Sequence, residues 1–449
     1  MSRTDNQPFG SSMGKRRQYL RLVFAAMLIS ILLAACGEDR SSGGVEEDRR
    51  FATDPEPAPT EVPATHTPEP PPTSQIVVPV TSGASPEAPS ALDPSRISNV
   101  YSLFDGSVIV FDIRTGVSRV IARSSEPASI EVIAPSLDGT SVAVISDRTG
   151  DRRLFDLDFL RADGSVIASA TDISAALGPH VGKNRGSLAA DWDANSQRLA
   201  IVFPDGGGVV IDPDGRSAVL LTRAQAPAPL EIEWSPDGEA IAFTSRDLDD
   251  DSPFLAIGGV RVLPIDPVRI AGTGGNRPIH AVRWQPDGDS LLAVQGSGQQ
   301  PESLAGDLIE VDRGTLSVRF AVGGSRFGPG HAIVLAEPAP QGEAWGIVTV
   351  SPNPRGGVQA TVWRAGPTMV DLVRMDLGEN PPVAGVTWTV NGLTVTLYDG
   401  NDVRLATFGP DGEAIELATP SASPVSDVDV APLIATGSPE ASPVASPED

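Results

Sequence analysis

The sequence predicts an all-β fold, a seven-bladed β-propeller of four-stranded antiparallel blades, from two families of recurring turns and one register of tryptophans. The first family is plainest in Glu233-Trp234-Ser235-Pro236-Asp237-Gly238 and Arg283-Trp284-Gln285-Pro286-Asp287-Gly288, each set between alternating apolar runs. Asp-Gly supplies the positive φ of a tight hairpin, so each reads as strand, two-residue turn, strand. Further copies fall at Asp138-Gly139, Asn195-Ser196, Gln341-Gly342 and Asn391-Gly392, with successive spacings of 57, 42, 50, 54 and 50 residues. Trp192, Trp234, Trp284 and Trp388, four of only six tryptophans, all stand three residues before such a turn. A large ring at that register is expected to plug the space between blades.

The second family runs out of phase with the first, at Thr115-Gly116, Asp163-Gly164, Asp214-Gly215, Asp266-Pro267, Arg313-Gly314, Ala365-Gly366 and Asp411-Gly412. Strand-like runs flank these turns, so each unit of about 50 residues holds four antiparallel strands, A to D. Seven second turns against six first turns mean that the first unit lacks its strand A. Ser426-Asp427-Val428-Asp429-Val430-Ala431-Pro432 resembles the strand A of the next unit, Ser129-Ile130-Glu131-Val132-Ile133-Ala134-Pro135. It is expected to return, pair with the N-terminal blade and close the ring, which removes the free sheet edges.

Trp234 to Gly238, followed by Glu239-Ala240-Ile241-Ala242-Phe243-Thr244-Ser245, resembles the repeat of TolB-type propellers, a relative of the WD-type repeat. The resemblance covers roughly residues 97–436 and is weakest in the Asn195-Ser196 and Gln341-Gly342 units. It implies a periplasmic or surface scaffold without fixing a ligand.

The N-terminus accounts for the one cysteine of the chain. Lys15, Arg16, Arg17 and Arg21 form a basic region, and Leu22 to Ala35 is an apolar run of 14 residues. That is too short to span ~30 Å of hydrocarbon as a helix. It ends in Leu33-Ala34-Ala35-Cys36-Gly37, which resembles the lipobox of bacterial lipoproteins, so residues 1–35 read as a signal peptide. The resemblance implies diacylglyceryl attachment at Cys36 and a lipid-anchored protein on the extracytoplasmic side of the cell membrane. Arg16-Arg17-Gln18-Tyr19-Leu20-Arg21 is similar to a twin-arginine export motif as well as to an ordinary basic region, and Met13 is an alternative start.

Residues 36–96 are rich in Pro, Glu, Thr and Ser and read, after the lipidated cysteine, as a disordered linker. Residues 97–436 form the propeller and 437–449 a second disordered tail.

Composition narrows the function. The net charge is −25, and loss of residues 1–35, with five basic groups and one acidic group, leaves −29. Such a surface repels phosphates and argues against nucleic acid. One cysteine permits neither an internal disulfide nor a thiolate metal cluster.

Catalytic signatures are absent. The one Gly-x-Ser-x-Gly match, Gly10 to Gly14, is removed with the signal peptide. Gly178 to Asn184 lacks phosphate-loop spacing, and Gly272 to Arg277 precedes a strand where a dinucleotide fingerprint precedes a helix.

Candidate ligand-binding residues lie in the D-to-A connections, which share one rim with the B-to-C loops. They are His180 with Lys183 and Arg185, Arg277 with His280, and Arg326 with His331. Arg185 and Arg277 each stand seven residues before a tryptophan, so both are expected near the channel mouth, where a basic ring would hold a carboxylate or phosphate. Pairing of these residues with nearby carboxylates is the alternative. The three histidines are 100 and 51 residues apart, on different blades, so no metal and no cofactor is expected.

Long B-to-C loops at 246–251, 296–306 and 351–357 mark the same rim as a surface for a protein, peptide or glycan. The expected protein is a monomeric, membrane-anchored binding or scaffold module, with a glycan-active hydrolase or lyase on the same scaffold as the alternative.

Overall fold

The computed structural model describes residues 97–416, apart from 181–183, 274–276, 297–305, 343, 353–357, 367–371, 380–382, 390, 400–401 and 410–413. The signal segment, the linker, Cys36, Lys183 and the closing segment 426–432 thus lie outside the described residues. Contacts divide the chain into Cys36–Glu87 and a second unit, Met1–Ala35 with Ala88–Asp449, to which every described residue belongs.

The fold is an all-β propeller of small antiparallel sheets. β1 (Asn99–Phe104), β2 (Ser107–Asp112) and β3 (Val117–Arg123) form a three-stranded sheet. β4 (Ser129–Pro135), β5 (Ser141–Asp147), β6 (Phe155–Arg161) and β7 (Val166–Ala170) form the next. β8 (Ala189–Trp192), β9 (Leu199–Val202), β10 (Gly208–Ile211) and β11 (Ser217–Leu221) follow. So do β12 (Pro229–Trp234), β13 (Ala240–Arg246), β14 (Pro253–Gly259) and β15 (Val268–Arg269).

An eight-stranded sheet contains β16 (Ile279–Trp284), β17 (Ser290–Gly296), β18 (Gly306–Asp312) and β19 (Val318–Val322). It continues through β20 (Ala332–Pro338), β21 (Trp345–Pro352), β22 (Val358–Ala365) and β23 (Leu372–Glu379). β24 (Val383–Thr389), β25 (Gly392–Asp399), β26 (Asp402–Phe408) and β27 (Ala414–Glu416) form the last sheet. The count therefore differs from seven equal sheets. One register pair, Gly306 with Ile333, joins β18 to β20 and merges two groups of four strands.

The second strands β9, β13 and β17 carry apolar runs without alternation. Leu199 to Val202 and Ala240 to Phe243 are buried throughout, because a neighbouring sheet covers each face. Ile145, Phe155 and Phe159 pack with Ile201 and Phe203 of the next sheet, and Ala200 and Leu220 pack with Ile232 and Phe243 of the one after. The outermost strands face water on one side, leaving Val166, Val268 and Phe320 exposed. Val100 and Phe111 of the first sheet pack with Val403 and Leu405 of the last, and Asn391 Nδ2 donates to Ile113 O at 3.4 Å.

Five of the six first-family turns are longer than a two-residue hairpin, whereas at the sixth Thr389 pairs with Gly392. Ser235 N donates to Ala240 O at 2.9 Å and Gly238 N to Ser235 O at 2.8 Å, enclosing residues 236–239. Gly238 takes φ +67 and Asp237 does not turn left-handed. Its carboxylate instead accepts from Ser235 Oγ at 2.5 Å and from Glu239 N at 2.9 Å, which holds the loop open at four residues. The same closure joins Ser136 to Ser141, Asp193 to Arg198, Gln285 to Ser290 and Ala339 to Ala344, so the divergent repeats keep the loop.

Strand alternation then sets the tryptophans. Successive side chains point to opposite faces, so the tryptophan turns toward the preceding inner strand and the residue before it toward the following one. Trp192 Nε1 donates to Ala134 O at 2.8 Å, Trp284 Nε1 to Glu233 O at 3.3 Å and Trp388 Nε1 to Glu337 O at 3.1 Å. Trp234 is 5% exposed, and its Nε1 is buried without a partner.

Removing the indole N–H should separate these positions. Trp192→Phe loses a buried hydrogen bond and Trp234→Phe loses none, so the first should be less stable by about 1 kcal/mol. Urea unfolding of the two variants measures the difference, and equal midpoints would contradict it.

Candidate functional site

The inner strands β4, β8, β12, β16, β20 and β24, together with β1, wall one central cavity of about 520 Å³. Leu137, Pro236, Pro286 and Pro340, all from first-family loops, form a collar at its mouth. The cavity therefore opens on the face opposite the D-to-A connections.

Its charge comes from the position just before the tryptophan register: Asp191, Glu233 and Arg283. In β20, where Pro338 takes the tryptophan's place, Glu337 holds the equivalent position. These groups bridge strands. Trp234 N donates to Asp191 Oδ2 at 2.7 Å, and Trp284 N donates to Glu233 Oε1 at 2.9 Å. Arg283 donates through Nε to Glu337 at 2.7 Å and through Nη1 to Glu233 at 3.3 Å.

Two carboxylates thus share one guanidinium, with Asp191 beside them in the cavity wall. The Arg283 side chain remains 36% exposed and that of Glu233 16%, so the cluster sits among protein atoms and still meets the cavity.

Burial raises Asp191 from 3.8 to about 6, against the Trp234 N–H and the charge of Arg283. Burial also raises Glu233 well above the usual carboxylate range, opposed by the attraction of Arg283 and aided by repulsion from Asp191 and Glu337. Glu337 rises for the same reason, burial, opposed by Arg283. Burial works against the Arg283 charge, but Glu337, Glu233 and Glu231 outweigh it and hold the guanidinium above its ordinary value.

Glu231 is spent on backbone. Its carboxylate accepts from Ala281 N at 3.0 Å and Val282 N at 3.1 Å, where β16 bulges and Ala281 takes φ +50.

None of the described rim residues named from the sequence lines this cavity, and Lys183 lies outside the described residues. His280 lies within β16 and not in a connection, because strand pairing begins at Ile279. Both its ring nitrogens are buried, and burial lowers its pKa against the nearby Glu231 charge and the Val334 backbone.

His180 is brought to Asp205, Nδ1 to Oδ2 3.0 Å, beside Arg223, whose Nη2 reaches the same oxygen at 2.9 Å. The three line a cleft of about 600 Å³ on the D-to-A face. Arg185 Nη1 donates to Leu248 O at 3.3 Å, and Arg277 Nη1 to Gln295 Oε1 at 3.4 Å. Arg326 ends the 3-10 turn Gly324–Phe327, and His331 Nδ1 meets Thr349 Oγ1 at 2.9 Å and the edge of Trp363. Of the described rim candidates, only His180 lines the cleft. Among the described residues no three His, Cys, Asp or Glu side chains are grouped to hold a metal ion.

Sequence reasoning passed over the cavity cluster by looking only at loops. Its signal was the charged residue one place before Trp192, Trp234 and Trp284.

Known structures agree on the fold alone. The chain is similar to a prolyl endopeptidase structure with TM-score 0.51 and 15% identity, over 72% of this chain and 47% of that one. Prolyl oligopeptidase B from Galerina marginata gives 0.50 and 11%, over 73% and 52%. The β-propeller domain of Cps50 (Swd1) from Myceliophteria thermophila gives 0.47 and 15%, over 68% and 92%. The chain thus spans about half the length of the two peptidases. No family model and no curated protein matches it.

The raised Asp191 makes stability depend on pH in a stated direction. A carboxyl that is neutral in the fold contributes fully below 3.8, and the contribution is lost as pH rises through about 6. Asp191→Asn removes this dependence and can still accept from Trp234 N. Its melting temperature should therefore fall less than the parent's between about pH 4.5 and about pH 7. Parallel calorimetric scans decide, and identical falls would contradict the assignment.

Proposed function

We propose that the protein is a lipid-anchored extracytoplasmic propeller that binds a ligand, with the central cavity as its receiving site. The observation that carries this reading is the convergence of inner strands from every sheet on one cavity whose charged groups hold backbone and each other. Such fixed groups suit recognition. The lipobox ending at Cys36 supplies the anchor.

The reading counts seven blades, taking the eight-stranded sheet as two. The first sheet has three strands where the others have four, and its edge strand β1 borders the cavity directly. Residues 426–432 would supply the missing inner strand. Deleting residues 424–449 should lower the melting temperature by several degrees, whereas deleting 437–449 should leave it unchanged. Equal effects would count against this closure.

Cys36→Ser should move the protein from the membrane to the soluble fraction, read by immunoblot of fractionated cells. With the anchor intact, a photocrosslinking amino acid at Leu137, on the cavity mouth, should capture a partner. The same group at Phe320, exposed on the outer strand β19, should not. Matching crosslinks from both sites would refute the cavity as the binding face.

A glycan-active enzyme is the second reading, because carboxylates of raised pKa in a cavity are what general acids require. Polysaccharide cleavage lost in Glu233→Gln would favour it.

A further inference from the structure

We infer that the central cavity receives a basic side chain, arginine or lysine, presented by a partner protein. The inference rests on the reading of this cavity as a binding site and names its ligand chemistry.

Charge count comes first. Glu233 and Glu337 share the one guanidinium of Arg283, Asp191 lines the same wall with only the Trp234 N–H as its hydrogen bond from the following strand, and Glu231 accepts from two backbone N–H groups. Architecture does not demand acids here. The same position before the tryptophan register is Ala134 in β4 and Thr387 in β24, and those strands keep their place. The carboxyls therefore exceed what the fold needs, and an entering cation would pair with them and favour their ionised forms against burial.

The walls suit that cation. Indole faces attract guanidinium and ammonium groups, and two rings of this wall already do so: Arg198 lies 4.7 Å over Trp234 and Arg313 5.6 Å over Trp284.

An independent observation points the same way. Trp234, 5% exposed and lining the cavity, holds a buried Nε1 donor without an acceptor, whereas the equivalent Nε1 atoms of Trp192, Trp284 and Trp388 each have a carbonyl. An acceptor brought to this wall by a small side-chain shift would satisfy it.

The donor geometry favours an organic cation over a metal. No three carboxylates are grouped as metal ligands among the described residues, whereas a guanidinium or ammonium on a flexible stem needs one or two. The apolar collar of Leu137, Pro236, Pro286 and Pro340 favours a protein over a free amine, because a protein offers more apolar surface to bury there than the methylene chain of a polyamine.

The test uses the purified mature chain and its tryptophan fluorescence. The probes are an acetylated alanine peptide with one central arginine, the same peptide with citrulline, and spermidine. The arginine peptide should give a saturable change, and citrulline, of like shape without charge, should bind at least tenfold more weakly. Spermidine should also be weaker than the arginine peptide. Asp191→Asn should weaken the arginine peptide at least tenfold while remaining folded by circular dichroism.

Equal binding of arginine and citrulline peptides, or no saturation by either, would overturn the inference. Spermidine binding as tightly as the peptide would overturn the protein source. Should Asp191→Asn fail to fold, the comparison on the unaltered protein still decides. Crosslinks at Leu137 without arginine preference would sink this inference and leave the binding reading standing, whereas their absence would sink that reading itself.

Discussion

The structure depends on the way each inner strand is tied to the next at a single two-residue step. A tryptophan turns back to the preceding strand while the residue before it reaches forward, because alternation in a strand leaves neighbouring side chains no other choice. Trp284 shows the complete joint: its backbone N–H meets the Glu233 carboxylate and its indole N–H the Glu233 carbonyl. Sheets that bury both faces against neighbours need such a joint at the axis, since hydrophobic contact between them is not directional.

The cavity follows from the joint. Reaching forward places polar groups at the axis, where protein surrounds them and water is restricted. Burial then opposes their charge, and one guanidinium cannot compensate three carboxylates. Asp191 moves to about 6 for this reason, while Asp237, held by Ser235 Oγ and the Glu239 N–H in an open loop, moves below the usual range despite some burial. Two aspartates a few strands apart thus diverge by environment alone.

Much of this was legible in the sequence, and the failures have physical causes. The tryptophan register and both turn families located the strands, because a ring of that size and a glycine in left-handed backbone each tolerate few substitutes. Asp237-Gly238 was misjudged in length because an aspartate before glycine suits both a two-residue turn and a four-residue loop, and the choice lies with Ser235 Oγ. His280 was assigned to a connection because the bulge at Ala281 interrupts the alternation that marks β16. Glu337 gave no signal, since Pro338 replaces the tryptophan that would have set its register.

The contrast between the two faces carries the last step. On the D-to-A face, Asp205 is saturated by His180 and Arg223, and its carboxylate is 5% exposed. That cluster is balanced within itself, as a buried charge must be if it is to serve only the fold. The axial cluster is not balanced, although Ala134 and Thr387 show that an uncharged residue fits the same step. Neutral residues at the same step on two strands show that the fold does not require acids at its axis, so the carboxyls there are set by something other than the joint between strands.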